Sequence, residues 1–150
     1  PESFDLVVAL DVLEHIENDG AVLKEGFRLL KKGGYFLAIV PAYRFLWSEH
    51  DEALGHKRRY SVKALSEKFT KSGFRTVKRS YVISFVFPLV FLYRALRKII
   101  FPKSRQNTAY LILPKIINNF FILLLKTESF FLQYADFPFG VSVLCLARKP

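Results

Sequence analysis

The chain of 150 residues contains no methionine and a single cysteine, Cys145. One cysteine cannot form an internal disulfide, and its place in the apolar run VSVLCLA predicts a buried thiol. The first residues show neither the basic nor the apolar segment of a secretory signal peptide. We therefore expect a cytoplasmic protein. The proline at position 1 and the missing methionine also lead us to expect a piece of a longer polypeptide.

A long uncharged run is missing as well. Within the most apolar part of the chain, the longest such run is Val82–Tyr93, with 12 residues, whereas a membrane-spanning helix needs about 20. Residues 84–140 still predict two apolar, aromatic-rich helices joined by the basic link PKSRQN. Three arrangements stay open: helices lying on a membrane or covering an apolar pocket, helices buried on the domain's own core, and membrane insertion.

Several catalytic motifs are also missing. The sequence has no serine-centred nucleophile elbow and no phosphate-binding glycine loop. His50, Asp51 and His56 lie close together in sequence, but their loop offers no third histidine or cysteine, so we predict no metal site.

Charge is distributed unevenly along a chain whose formal net charge is +10. Residues 1–55 hold 10 acidic and 5 basic side chains, a net of −5, whereas residues 56–150 hold 18 basic and 3 acidic ones, a net of +15. The basic part predicts an anionic partner: a lipid surface, a nucleic acid or a phosphorylated substrate. Nucleic acid is the least favoured, because the basic residues flank apolar helices rather than a stacking platform.

The first forty residues predict a strand, a helix and a second strand. Phe4–Leu10 and Tyr35–Val40 are apolar runs typical of strands buried on both faces. The segment between them predicts an amphipathic helix, capped by Asn18 or Asp19 and stopped by Gly33-Gly34. Together they form a βαβ unit.

The rest of the chain extends this α/β pattern. Residues 42–61 have no regular period and predict a long loop. Ser61 then caps an amphipathic helix that ends at Gly73. Phe74–Val82 and Val141–Ala147 predict two further strands, with the apolar residues 84–140 inserted between them.

Polar residues gather where the first two strands end. Asp11, Glu14 and His15 follow the first strand, and the loop after the second strand carries His50, Asp51, His56, Lys57, Arg58, Arg59 and Tyr60. The carboxyl ends of parallel strands meet at one edge of a sheet, so we expect both groups to face one crevice. Histidine suits proton transfer there, and adjacent arginines suit phosphate or carboxylate binding. The alternative for each group is an ordinary solvated turn.

The segments FDLVVALDVLEHI and LKEGFRLLKKGGYFLAIVP, followed by a helix and SGF, resemble the carboxyl-terminal half of a class I S-adenosylmethionine-dependent methyltransferase. The resemblance covers about residues 3–83 and 139–149. It implies an incomplete Rossmann-like α/β sheet over residues 1–150, with the family's strands in the order 4-5-7-6. Residues 84–140 then form a helical insertion between strands 6 and 7. The glycine-rich cofactor loop after the family's first strand is absent from this sequence.

The resemblance also implies roles for individual residues. Ala9, Leu10 and Asp11 match positions that approach the methionine part of S-adenosylmethionine. His15, in the LEH motif, matches a position near the transferred methyl group, and we expect it to be catalytic. The loop residues expected on the substrate side are His56, Arg58, Arg59 and Tyr60.

The leading hypothesis is methyl transfer from S-adenosylmethionine to a small-molecule or lipid-linked anionic acceptor. Peripheral contact with the inner face of the membrane would run through residues 84–140. The alternative is a non-catalytic module that binds a membrane surface or a partner. Because the first strand lacks one neighbour, we expect the chain alone to be poorly soluble and inactive.

Overall fold

The computed structural model describes residues 1–100 and 113–150 of the chain. Its strands are β1 (Phe4–Leu10), β2 (Leu30–Pro41), β3 (Arg75–Val82) and β4 (Ser142–Arg148). Its helices are α1 (Asp19–Leu29), α2 (Glu49–Ala53), α3 (Val62–Lys71), α4 (Phe87–Ile100) and α5 (Lys115–Leu132). The basic link PKSRQN lies outside the described residues.

The four strands form one mixed sheet in the order β1-β2-β4-β3. β1 and β2 are parallel, and β4 runs antiparallel to both β2 and β3. This is the order that the resemblance implied, so the prediction of a Rossmann-like α/β sheet is confirmed. Because β1 and β2 are parallel, the turns that follow them lie at the same edge of the sheet.

Helices α1 and α3 cover one face of this sheet. Leu23 from α1 and Phe69 from α3 pack with Phe36 and Ala38 of β2, and all four are fully or almost fully buried. Gly26 lets α1 approach closely, because a Cβ there would lie 2.3 Å from the ring of Phe36. The hydrophobic core therefore lies between α1, α3 and this one face.

The opposite face is apolar and much more exposed. The predicted burial of β1 on both faces is wrong for the described chain, since Phe4, Leu6, Val8 and Leu10 are each about half exposed. Val7 and Ala9, which alternate with them, face the core. On the same face, the residues of β2 and β4 that pair next to this row are half-buried and apolar: Leu37, Ile39, Leu144 and Leu146.

Helix α1 ends earlier than predicted. It stops at Leu29 rather than at Gly33-Gly34, because Leu30 turns into extended backbone and is fully buried as the first residue of β2. Gly33 lies within β2 in the left-handed region, with φ +80° and a Cβ position 3.1 Å from Nη2 of Arg148. The two glycines thus lie where the pairing of β2 with β1 shifts register, and Gly33 supplies the left-handed conformation there.

A buried carboxylate is one of the contacts that hold the insertion to the sheet. Glu128 of α5 accepts hydrogen bonds from the backbone N–H groups of Ile83, Ser84 and Phe85, between β3 and α4. Most apolar side chains of α5 are exposed, so the helix is not buried on the sheet. Among the described helices, none is long and apolar enough to cross a membrane.

Candidate active site

A tight turn follows β1 and presents Glu14 and His15. Asp11 takes the left-handed conformation, with φ +49°, and its N–H donates to the carbonyl oxygen of Ile39 in β2. A single 3₁₀ turn, Leu13–His15, comes next. It buries Glu14 completely and leaves His15 exposed at the carboxyl edge of β1, where the crevice was predicted.

The loop after β2 is more ordered than the sequence analysis predicted. It contains the short helix α2, and Ser48 donates to the Asp51 carboxylate through both its N–H (2.9 Å) and its hydroxyl (3.2 Å). The spacing S-x-x-D was the signal that could have predicted this helix start. The loop closes where Ala42 and Tyr60 form an isolated parallel bridge.

Asp51 organises the loop from a fully buried position. It forms two hydrogen bonds with Arg59 (2.7 and 3.0 Å) and one with Nδ1 of His56 (2.9 Å). Burial opposes its ionisation, but the hydrogen bonds from Arg59 and His56 hold the pKa of Asp51 below its ordinary value. Because Asp51 stays ionised, His56 donates its Nδ1–H to it and leaves Nε2 as the free nitrogen.

The two segments meet at the crevice, as expected from the strand directions. The rings of His15 and His56 pack edge to face with centroids 4.7 Å apart. The N–H of Lys57 donates to the carbonyl oxygen of Glu14 (2.8 Å), which fixes the loop on the turn. Burial raises the pKa of Glu14 against a smaller opposing effect of its own backbone N–H, and neither carboxylate oxygen has a partner at hydrogen-bond geometry among the described residues.

Two of the four predicted substrate residues, Arg59 and Tyr60, have their polar groups engaged inside the protein. The Tyr60 hydroxyl donates to Asp19 (2.7 Å), and Asp19 also binds Lys68 (2.7 Å). Arg59 binds Asp51 and the carbonyl oxygen of Ala42. The polar groups of Arg59 and Tyr60 therefore hold the loop in place.

The other predicted site residues lie at the open side of the same edge. Arg58 is partly exposed and donates to the carbonyl oxygen of Glu17 (2.8 Å). Leu10 and Asp11 are exposed at the end of β1, whereas Ala9 is buried. The structure thus leaves Leu10, Asp11, His15 and Arg58 accessible from the crevice.

Helix α4 of the insertion reaches this loop. Arg94 contacts the carbonyl oxygen of Leu46 and lies 3.8 Å from Asp51. Tyr43 stacks on Tyr81 (4.7 Å between centroids) and on Phe45 (4.8 Å), and the ring of Phe45 packs edge to face on Phe91 of α4 (6.1 Å). The apolar insertion and the polar loop therefore border one another.

A cleft of about 680 Å³ opens at the other end of the sheet. Its lining includes Lys32, Tyr35, Arg75 and Arg148, from the start of β2, the start of β3 and the end of β4. It is separated by the length of the strands from the histidine pair, and it belongs to a different part of the surface.

Comparison with known proteins agrees with this geometry. A family model for a methyltransferase domain matches residues 1–38, and no curated protein matches the sequence significantly. Among solved structures, the chain is similar to phosphoethanolamine N-methyltransferase 2 of Haemonchus contortus in complex with S-adenosyl-L-methionine (18% identity, TM-score 0.55). It is also similar to a methyltransferase of Thermotoga maritima titled a possible histamine N-methyltransferase (18%, 0.54) and to the [4+2]-cyclase SpnF (16%, 0.54).

The chain therefore has the fold of a class I S-adenosylmethionine-dependent methyltransferase. The matches cover 100%, 99% and 99% of this chain but only 34%, 57% and 50% of those three proteins. The cyclase shows that the same fold also carries a different reaction, so function has to be argued from the site.

Proposed function

We propose that this chain is part of an enzyme that transfers a methyl group from S-adenosylmethionine to a small-molecule or lipid-linked acceptor. The observation that carries the proposal is the meeting of His15 and His56 at the carboxyl edge of β1 and β2. In open α/β sheets, this edge is where ligands bind. The methyltransferase fold and the motif match at residues 1–38 support the cofactor assignment.

The rest of the cofactor site is proposed to come from a segment outside this chain. β1 is the edge strand of the sheet, and its row of half-exposed apolar side chains continues into β2 and β4. Sheets with parallel strands are usually covered by helices on both faces. A segment that pairs with β1 and covers this face would bury the apolar row and bring the glycine-rich loop to the end of β1.

The chemistry needs alignment and one proton acceptor. A lone pair of the acceptor attacks the methyl carbon, the carbon–sulfur bond breaks, and its electrons move to sulfur, giving S-adenosylhomocysteine. An acceptor with an O–H or N–H group must lose a proton as the new bond forms. Because His15 is exposed at the crevice, we assign to it the role of accepting this proton. Alignment of the methyl donor with the acceptor supplies most of the acceleration.

The acceptor is proposed to carry a negative charge and an apolar part. Lys57 and Arg58 lie on the exposed side of the loop, where each is only partly engaged by Glu17 or Asp19. The same loop also carries the aromatic rings of Tyr43 and Phe45, and Phe45 packs on Phe91 of α4. An acidic group would bind the cations, and the apolar part would lie along α4.

Calorimetry with S-adenosylmethionine tests the proposal in the complete gene product. We expect Asp11→Asn to weaken cofactor binding, because Asp11 lies at the proposed contact with the cationic methionine part. Asp5→Asn is the matched control, since Asp5 is exposed at the other end of the same strand and pairs with Lys31. Absence of cofactor binding in the unaltered protein would refute the proposal.

A second candidate is docking on an anionic membrane. Helix α5 exposes Ile116, Phe120 and Leu123, by 84%, 56% and 62%, in the part of the chain that is strongly basic. Such a surface suits the interface of an anionic bilayer. Binding to phosphatidylcholine vesicles with and without phosphatidylserine tests this role. Leu123→Asp is expected to reduce binding to the anionic vesicles, and the control Val77→Asp, at an exposed position of β3, is expected to leave it unchanged. Equal binding of both variants would exclude docking through α5.

A further inference from the structure

We propose that Glu14, His15 and His56 form a binding site for a divalent transition-metal ion. Each residue offers one ligand atom, and the three atoms all lie within 4.8 Å of one another. The expectation of no metal site rested on His50, Asp51 and His56. The set proposed here instead includes His15, which lies 41 positions before His56 and is brought to it only by the folded loop.

The first argument is the state of the Glu14 carboxylate. It is fully buried, and within the described part of the chain neither of its oxygens has a hydrogen-bond partner. Such a group is expensive to bury, and native proteins almost always satisfy it. A cation beside the two histidines would supply the missing partner for a negative charge that the fold has already desolvated.

The second argument is the support behind His56. Its Nδ1 is hydrogen-bonded to Asp51 at 2.9 Å, and Asp51 is held in turn by Arg59 and Ser48. Metal-binding histidines commonly donate their second ring N–H to a carboxylate, which fixes the tautomer and the ring orientation. Because the hydrogen bond to Asp51 engages Nδ1, Nε2 is the His56 nitrogen that would act as the ligand.

The donor set also indicates the class of metal. Two imidazoles and one carboxylate suit Zn²⁺, and the same set serves Fe²⁺ in open three-ligand sites, whereas Ca²⁺ and Mg²⁺ prefer oxygen ligands. Ligand bonds of about 2.0–2.2 Å require donors that now lie up to 4.8 Å apart to move closer together when the ion binds. His15 is exposed, so further coordination positions would open toward the crevice.

The consequence for catalysis rests on the proposed function. With the ion bound, His15 acts through it rather than as a free base. An acceptor hydroxyl bound to the ion would have a lowered pKa and would release its proton to solvent water rather than to His15. The metal site itself does not depend on this role, because the ligands all come from the described chain.

Titration of the full 150-residue chain with Co²⁺ and Zn²⁺ tests the site. The chain is prepared without an affinity tag, freed of metal and kept in a mild non-ionic detergent. We expect visible Co²⁺ absorption bands that saturate with one equivalent and disappear when Zn²⁺ displaces Co²⁺. His15→Asn, His56→Asn and Glu14→Gln should each weaken binding at least about tenfold, and Asp51→Asn should weaken it through His56 by about 10–100-fold.

The control is His50→Asn, because His50 is the third histidine of the chain and is exposed outside the cluster. It should bind the metal like the unaltered chain. Circular dichroism shows whether each variant is folded. In the unaltered chain, bound Zn²⁺ should protect His15 and His56 from a histidine-modifying reagent, which gives a second readout. Absence of saturable binding, or equal weakening by His50→Asn, would overturn the proposal. Because no cofactor is added, this result is independent of methyl transfer.

Discussion

Replacing Asp51 by asparagine is expected to cost a large part of the chain's stability. The substitution removes the negative charge that faces Arg59, whose side chain is only 3% exposed. Breaking a buried ion pair from one side costs about 3–5 kcal/mol, because the remaining charge stays buried without compensation. Small domains have a total free energy of unfolding of about 5–15 kcal/mol. The loss should therefore be visible as a much lower denaturation midpoint.

Urea denaturation followed by tryptophan fluorescence is the appropriate assay. Trp47 is the only tryptophan, and it lies directly before α2 in the loop that Asp51 organises. The control is Asp5→Asn, since Asp5 is 84% exposed beside Lys31, and exposed pairs contribute at most about 1 kcal/mol. If Asp51→Asn lost no more stability than this control, the interpretation of Asp51 as the centre of the loop would be wrong.

Three further perturbations test other parts of the structure. Burial raises the pKa of Glu14 above its ordinary value of 4.5, so the protonated side chain stabilises the fold below pH 4.5, and this stabilisation is lost as the pH rises through the raised pKa. The melting temperature of the unaltered chain should therefore fall over that pH range, and in Glu14→Gln this fall should be missing. Gly26→Ala should cost about 1–3 kcal/mol, because its Cβ would meet the ring of Phe36, whereas Gly20→Ala in the same helix should be tolerated in the same unfolding assay. Glu128→Gln should weaken the attachment of α5, seen as faster limited proteolysis of the insertion; unchanged proteolysis would contradict that role.

The sheet was largely predictable from the sequence, because its signals are local. The apolar runs of β1 and β2 and the capped helices between strands follow from hydrophobic spacing and from Asn18 and Ser61, whose side chains do accept the predicted capping hydrogen bonds. The strand order came from the family resemblance. The end of α1 was mispredicted, because burial of Leu30 in the sheet outweighs the helical pattern of Lys31 and Lys32.

The site was predictable only in part. The position of His15 at the end of β1 followed from strand direction, and the shared crevice followed from the parallel pairing. The structural roles of Arg59 and Tyr60 could not be predicted from the sequence, because their hydrogen-bond partners Asp51 and Asp19 lie 8 and 41 residues away along the chain. The burial of Glu14 without a hydrogen-bond partner among the described residues depends on long-range packing that no local pattern contains.

The most direct test of the proposed function observes the histidines while the methyltransferase product binds. In the complete gene product labelled with ¹⁵N-histidine, S-adenosylhomocysteine should shift the ring resonances of His15 and His56 and leave those of exposed His50 unchanged. That result would place the cofactor at the carboxyl edge of β1 and β2. Binding that leaves His15 and His56 unshifted, or no binding at all, would contradict the assignment of this edge as the methyl-transfer site.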